Sequence, residues 1–262
     1  MLRYILSSMV GLTLLIAVGI VGCSGSEEDS GPDRDSAPGA SATVQTLQAR
    51  LDARSDEFAQ TAPPDMIELF AAGLDSVRQY GVVDSALNTG DTIPMFGLPN
   101  VDGAFTQIRS VMEKGPVVLT FYRGGWCPYC NLQLLAYQDI LPEIERLGAE
   151  LVAISPQVPD SSIATAERDS LDYFVLSDVG NRVAEDMGLV YTLPTDLCRV
   201  YQERLNLSAY NADASCRLPL AATYVIDSDG VIRWAFLDAD YRKRAEPAEI
   251  IQALRSLQES TS

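Results

Sequence analysis

The chain has 262 residues, with 36 acidic against 19 basic side chains and a formal charge of −17. That balance argues against a nucleic-acid partner, which attracts Lys- and Arg-rich surfaces. Histidine is absent, which removes Ser-His-Asp and Cys-His catalysis, imidazole metal ligands and His proton shuttles. Acid–base work falls to carboxylates, Tyr, Lys, Cys or water.

The N-terminus reads as a targeting segment. Arg3 supplies a short positive region, and the apolar stretch 9–21 is too short for a comfortable membrane span. It ends in Ile20-Val21-Gly22-Cys23, which resembles the bacterial lipoprotein signal. That resemblance implies removal of residues 1–22, a lipid anchor on Cys23 and residence in the cell envelope; the alternative is an ordinary cleaved signal with an incidental cysteine. Ser24 after the cysteine resembles the outer-membrane form of the signal. Residues 23–42 are rich in Ser, Gly, Asp, Glu and Pro, and predict a disordered tether.

Residues 43–90 predict a helical N-terminal extension. Val44, Leu47, Leu51 and Phe58 are spaced as on one helix face. Pro63-Pro64 breaks the chain, and residues 65–80 predict a second helix through Met66, Leu69, Phe70, Leu74 and Val77. This pair either packs on the following domain or makes homodimer contacts.

The main domain is expected over 91–262. A hairpin turns at Asp102-Gly103, and residues 117–122 read as a buried strand. A long helix follows over 128–146, then a strand over 151–155, a helix over 161–169, a strand over 173–176 and a helix over 182–187. Residues 188–218 read as an irregular insertion with one or two short helices. A strand over 222–226, the turn Asp227-Ser228-Asp229-Gly230, a return over 231–237 and a closing helix over 247–257 complete the chain. Strands alternating with helices predict an α/β sandwich.

The chemistry centres on Cys127-Pro128-Tyr129-Cys130, at the junction of the 117–122 strand and the 128–146 helix. Amides at a helix N-terminus and the helix dipole favour a thiolate there. Thiolates attack disulfides and peroxides. Half of a zinc site is the other use of such a pair, but there is no second C-x-x-C and no His, so no metal or other cofactor is expected. Arg123 is close enough in sequence to lower a thiol pKa or stabilise a leaving oxygen; a surface salt bridge is its other reading. Trp126 reads as a wall of the substrate pocket or as core packing, and Tyr129 as a phenol offered to substrate or to solvent. Cys198 and Cys216 are left as an even pair, read as a structural disulfide; two free thiols, or a resolving cysteine, are the alternatives.

The run Phe121-Tyr122-Arg123-Gly124-Gly125-Trp126-Cys127-Pro128-Tyr129-Cys130 resembles the peroxiredoxin-like branch of the alkyl hydroperoxide reductase/thiol-specific antioxidant family. So do Leu151-Val152-Ala153-Ile154-Ser155-Pro156-Gln157, Val175-Leu176-Ser177-Asp178, Ala222-Thr223-Tyr224-Val225-Ile226-Asp227 and Asp240-Tyr241-Arg242-Lys243-Arg244-Ala245-Glu246-Pro247. The resemblance implies a thioredoxin-like fold and thiol-dependent reduction of hydrogen peroxide or organic hydroperoxides. An external dithiol, thioredoxin-like or relayed through the membrane, would then reduce the protein. Laid on the peroxiredoxin pattern Pro-x-x-x-Thr-x-x-Cys, Arg123 replaces the Pro, Cys127 the Thr, and Cys130 is peroxidatic. Laid on the thioredoxin pattern Trp-Cys-x-x-Cys, Cys127 is the nucleophile and Cys130 resolves. Ala221 stands where thioredoxin-like proteins usually have a cis-Pro. An envelope thiol-disulfide oxidoreductase is therefore the competing function.

Overall fold

In a computed structural model the described residues are 45–261. The segments expected to be a signal, a lipidation site at Cys23 and a tether lie outside them. Among the described residues no helix is long and apolar enough to cross a membrane.

The extension forms α1 (Leu47–Thr61), α2 (Pro64–Tyr80) and a short α3 (Val82–Ser85). Pro63-Pro64 separates α1 from α2 because Pro lacks the N–H a continuing helix needs, while Pro64 at the first position of α2 loses nothing. Gly81, at φ 73°, ends α2 in the left-handed conformation that glycine adopts without strain. The start of α1 is capped from two directions. Thr46 Oγ1 accepts the Ala49 N–H at 3.2 Å, and the Glu246 carboxylate accepts the N–H groups of Leu47 and Gln48 at 3.1 and 2.6 Å. A carboxylate at a helix N-terminus also meets the positive end of the dipole. The contact ties the extension to residues nearly two hundred positions later.

A small hairpin, β1 (Gly97–Pro99) with β2 (Phe105–Gln107), leads into α4 (Ile108–Met112) and then β3 (Val117–Phe121). The rest follows as α5 (Pro128–Arg146), β4 (Glu150–Ser155), α6 (Pro159–Asp169), β5 (Phe174–Ser177), α7 (Arg182–Asp186), β6 (Val190–Thr192), α8 (Thr195–Leu205), α9 (Leu207–Asn211), β7 (Arg217–Pro219), β8 (Thr223–Ile226), β9 (Ile232–Phe236) and α10 (Pro247–Thr261). Five strands make the central sheet in the order β5-β4-β3-β8-β9. β3, β4 and β5 run parallel, whereas β8 and β9 are antiparallel to their neighbours. This is the thioredoxin-like α/β sandwich.

β3 is buried along its whole length, as a strand covered on both faces must be. Val117, Leu119 and Phe121 enter the core on one face; Val118 and Tyr122 enter the core beneath α5 on the other. The period of two divides one run into two cores. The sheet switches from parallel to antiparallel pairing beside β3, and its carboxyl end opens where open α/β sheets bind ligands.

Residues 188–218 hold more regular structure than the sequence predicts. Besides α8 and α9, β6 and β7 pair as a two-stranded sheet. Three-residue strands are too short to show alternation. Cys198 on α8 and Cys216 beside β7 form a disulfide, with Cα atoms 5.7 Å apart. The turn after β8 is closed by the Asp227 carboxylate, which accepts the N–H groups of Asp229 and Val231 at 3.0 and 2.9 Å.

Candidate active site

The junction between β3 and α5 positions the thiols. Cys127 is the N-cap of α5 and Pro128 its first residue. Tyr129 and Cys130 therefore fall in the first turn, where backbone N–H groups have no helical acceptor. The two preceding glycines are sterically required. A Cβ on Gly124, whose φ is 145°, would lie 2.3 Å from the Trp126 indole nitrogen; one on Gly125 would meet Thr165 Oγ1 at 2.2 Å. The Gly125 N–H donates to Gln157 Oε1 at 2.7 Å, while its carbonyl accepts from Asn131 and Arg168 at 3.0 and 3.1 Å. The loop is thus fixed on both sides before the first cysteine.

Both cysteines are unbridged and buried, Cys127 at 1% exposure and Cys130 at 0%. Two guanidiniums face them. Arg123 Nη1 lies 3.8 Å from Cys127 Sγ, and Arg244 Nη2 lies 3.5 Å from Cys130 Sγ. Each arginine is only 2% exposed, and neither pairs with a carboxylate among the described residues. Burying a charge without a counterion is expensive. The natural counterion is a thiolate on the cysteine pair.

Burial opposes that charge on Cys130, but a hydrogen bond from the Cys127 thiol and the two guanidiniums outweigh it and hold Cys130 well below the ordinary thiol range. Burial and the adjoining Cys130 push Cys127 the other way. The two shifts run in opposite directions, so the guanidiniums favour a single negative charge shared within the pair.

Arg123 sits in an aromatic cage. Its guanidinium lies 5.0, 5.5 and 4.4 Å from the ring centroids of Trp126, Tyr201 and Tyr241, within cation–π range. It also donates to the Tyr201 hydroxyl at 2.7 Å. Burial pushes that phenol up to about 12, so it stays neutral. Arg244 is held by a buried polar chain: its Nε donates to Gln133 Oε1 at 2.6 Å, Gln133 Nε2 donates to Thr120 Oγ1 at 2.8 Å, and Thr120 meets Thr223 at 2.9 Å. Arg244 also donates to the backbone carbonyls of Tyr241 and Lys243.

A cavity of about 180 Å³ opens over Cys127 and is lined by Arg123, Trp126 and Tyr129 as well. The structure thus brings Arg123, Trp126, Tyr129 and Cys127 to one opening, with Cys130 behind it. Cys198 and Cys216 lie apart from the thiols, in the insertion. The bridge nevertheless bears on the site: Cys198, Tyr201 and Leu205 follow at helical spacing on α8, and the last two line the cavity. At Ala221 a three-residue turn closes with the Ala222 N–H donating to the Leu220 carbonyl at 2.9 Å.

Sequence reasoning missed Arg244, Gln133, Tyr201 and Tyr241 as site residues. The 240–247 segment stood out only by resemblance. Tyr201 sits in a segment read as irregular, and its helical neighbours carry no catalytic pattern.

Comparison with known proteins bears on the family and the fold. Residues 89–235 match the model of the AhpC/TSA family. Chloroplastic peroxiredoxin Q of Triticum aestivum is 30% identical over 203 residues, which cover 76% of this chain and 83% of the relative. The crystal structure of the peroxidoxin BcpB from Mycobacterium tuberculosis superposes with a TM-score of 0.52 at 24% identity, covering 65% of this chain and 98% of that one. Enterococcus faecalis AhpC gives 0.52 at 17% identity, covering 67% and 95%. Likeness at that identity speaks for the fold, while the family match spans more than half of the chain. The strand–C-x-x-C–helix element, the sandwich around it and the matched span together make this chain a member of the AhpC/TSA family, with a peroxiredoxin-like thioredoxin fold.

Proposed function

We propose that the protein is a thiol peroxidase in which Cys130 and Cys127 cycle between dithiol and disulfide. The observation that carries this reading is the pair of buried, carboxylate-free guanidiniums against the C-x-x-C. The Cys130 thiolate attacks one peroxide oxygen and the O–O bond breaks, giving a sulfenic acid on Cys130. The leaving oxygen takes the proton from the Cys127 thiol and departs as an alcohol or water. Arg123, fixed by its cage, stabilises negative charge on that oxygen as the bond lengthens. Cys127, now a thiolate, attacks the sulfenic sulfur; a disulfide forms and hydroxide leaves, to be protonated by solvent. An external dithiol then reduces the disulfide and is itself oxidised. We further propose that residues 1–22 are removed and that Cys23 carries the lipid tethering the protein in the bacterial cell envelope. The dithiol would accordingly be a membrane-relayed or thioredoxin-like partner.

One observation favours a second reading. Cys127, not Cys130, lines the cavity, as the attacking cysteine of a thiol-disulfide oxidoreductase would. The test is stopped-flow reaction of the reduced protein with peroxide, comparing wild type, Cys127→Ser and Cys130→Ser, with sulfenic acid trapped and located by mass. Fast reaction in Cys127→Ser with sulfenic acid on Cys130 supports the peroxidase. Slow peroxide reaction in every form, with rapid disulfide exchange that needs Cys127, would replace it with the oxidoreductase.

A further inference from the structure

The charge of the site does not balance in either redox state. Arg123 and Arg244 are both buried, and neither pairs with a carboxylate among the described residues. No carboxylate lines the cavity over Cys127, and its other cationic lining residue, Arg54, is already paired with Glu57 at 3.0 Å. In the dithiol state one thiolate faces two guanidiniums. Closing the Cys127–Cys130 disulfide removes that charge: two electrons leave, the proton remaining on the pair passes to solvent, and both sulfurs become neutral. Two cations are then buried without a counterion, which is costly.

Hydrogen-bond donors are in surplus as well. A guanidinium carries five N–H groups. On Arg123, Nη2 donates to Tyr201 and Nη1 to Cys127 Sγ, while Nε has no acceptor. The indole N–H of Trp126, in the same lining, is buried without an acceptor too. The only oxygens on the lining side chains are the phenols of Tyr129, Tyr201 and Tyr241, and burial pushes all three up, so they stay neutral. At about 180 Å³ the cavity is several times one water's share of about 30 Å³, which is room for a small ion. Phe58, Phe70 and Leu205 complete the wall and offer an ion nothing in exchange for its water.

We infer that this cavity is a binding site for a small, weakly hydrated monovalent anion, occupied in the disulfide state and displaced by the thiolate of the dithiol state. Arg123 supplies the charge and the free N–H donors. The apolar wall selects ions that lose their water cheaply, such as thiocyanate or iodide, over strongly hydrated sulfate. Like charges this close repel, so anion and thiolate exclude each other. The inference rests on the dithiol–disulfide cycle of the proposed function and adds an inorganic partner to it. An anion held by the oxidised protein alone stabilises that form, lowers the midpoint potential of the pair and makes the disulfide harder to reduce.

The experiment measures the midpoint potential of the Cys127–Cys130 pair by equilibration with a dithiothreitol redox couple, with this disulfide resolved from Cys198–Cys216 by peptide mass. Sodium thiocyanate replaces sodium sulfate at fixed pH and ionic strength. The oxidised protein is prepared with diamide, which takes up the two electrons, so the measurement is independent of any reaction with peroxide. One anion held by the disulfide state alone lowers the potential by about 30 mV for each tenfold rise in thiocyanate above its dissociation constant, the two-electron equivalent of a factor of ten. The dependence should vanish in Arg123→Gln, which removes the charge, and in Leu205→Trp, which fills the space and leaves every charge in place. Leu205→Trp keeps the test valid if loss of Arg123 unfolds the protein, a condition read from the melting curve. A potential that does not change with thiocyanate, or that changes equally in every folded variant, overturns the inference. Stopped-flow rates with peroxide test the peroxidase reading separately: no peroxide reaction beside a thiocyanate-dependent potential would sink that reading and leave the anion site standing.

Discussion

Replacing Arg244 with Gln removes the charge nearest Cys130 while leaving a polar side chain in the buried chain of Gln133 and Thr120. At the observed 3.5 Å, and with an effective dielectric of about 20, two unit charges attract by roughly 5 kcal/mol. Arg123 remains, 3.8 Å from the other sulfur, and water admitted by the shorter side chain replaces part of the attraction. A net loss of about 2–3 kcal/mol is a reasonable working value, equivalent to roughly 30–150-fold in the thiolate population on the titrating limb. The sign follows from the direction of the shift. Cys130 is held below the ordinary thiol range, so wild type keeps its thiolate below the pH at which an ordinary thiol takes up a proton, and loses it as pH drops through that lowered value. In Arg244→Gln the acid limb of the peroxide rate should move to higher pH, and the rate should recover under alkaline conditions. Stopped-flow rates across pH, with Arg244→Lys as a charge-keeping control, measure this. An acid limb in the same position would refute the assignment of Arg244 as the counterion. An equal loss at every pH would mean that the side chain acts on folding or on the transition state instead.

Breaking the Cys198–Cys216 bridge by the double change to Ser should cost about 3 kcal/mol, given the 18-residue separation. It should also loosen the Tyr201 contact with Arg123, so chemical melts and the peroxide rate should fall together. Glu246→Gln removes a charged cap from α1 and should destabilise the extension by about 1 kcal/mol. Limited proteolysis should then cut sooner near α1 while the central sheet stays protected. Burial works against the Asp240 charge, but Arg242 donates to both its oxygens, at 2.8 and 2.7 Å, and the balance holds the carboxyl below its ordinary range. Its stabilisation is complete above the ordinary carboxylate pKa of about 4 and fades as pH falls through the lowered value. Asp240→Asn should cost about 2 kcal/mol at neutral pH. The difference from wild type should shrink in acid melts, and a constant difference at all pH values would contradict the pairing.

Much of the scaffold was legible along the chain because its signals are local. The apolar run at 117–122, followed by Cys127-Pro128, reads as strand then helix, since Pro at the first helical position and a buried parallel strand each leave a mark within a few residues. The double proline at 63–64 marks the break between two amphipathic helices in the same way. The bridge partners Cys198 and Cys216 were countable because only five cysteines exist. The β6–β7 pair and α4 were not visible, since elements of three to five residues complete less than two periods.

The electrostatics of the site were decided only by tertiary structure. Arg244 follows Cys130 by 114 positions, and Tyr201 follows Arg123 by 78; no periodicity links residues that far apart. Arg123 could be nominated from proximity, but the difference between a surface salt bridge and a caged, carboxylate-free cation is made by Trp126, Tyr201 and Tyr241 converging from three segments. The cysteine spacing by itself permits opposite roles for Cys127 and Cys130. What separates them is which sulfur meets Arg244 and which meets the cavity. The sequence alone determined that a thiol pair stands at a strand-to-helix junction, because backbone propensity acts between near neighbours. Folding determined which guanidinium each thiol meets and what surrounds it, because Coulomb attraction and packing act across space whatever the separation along the chain.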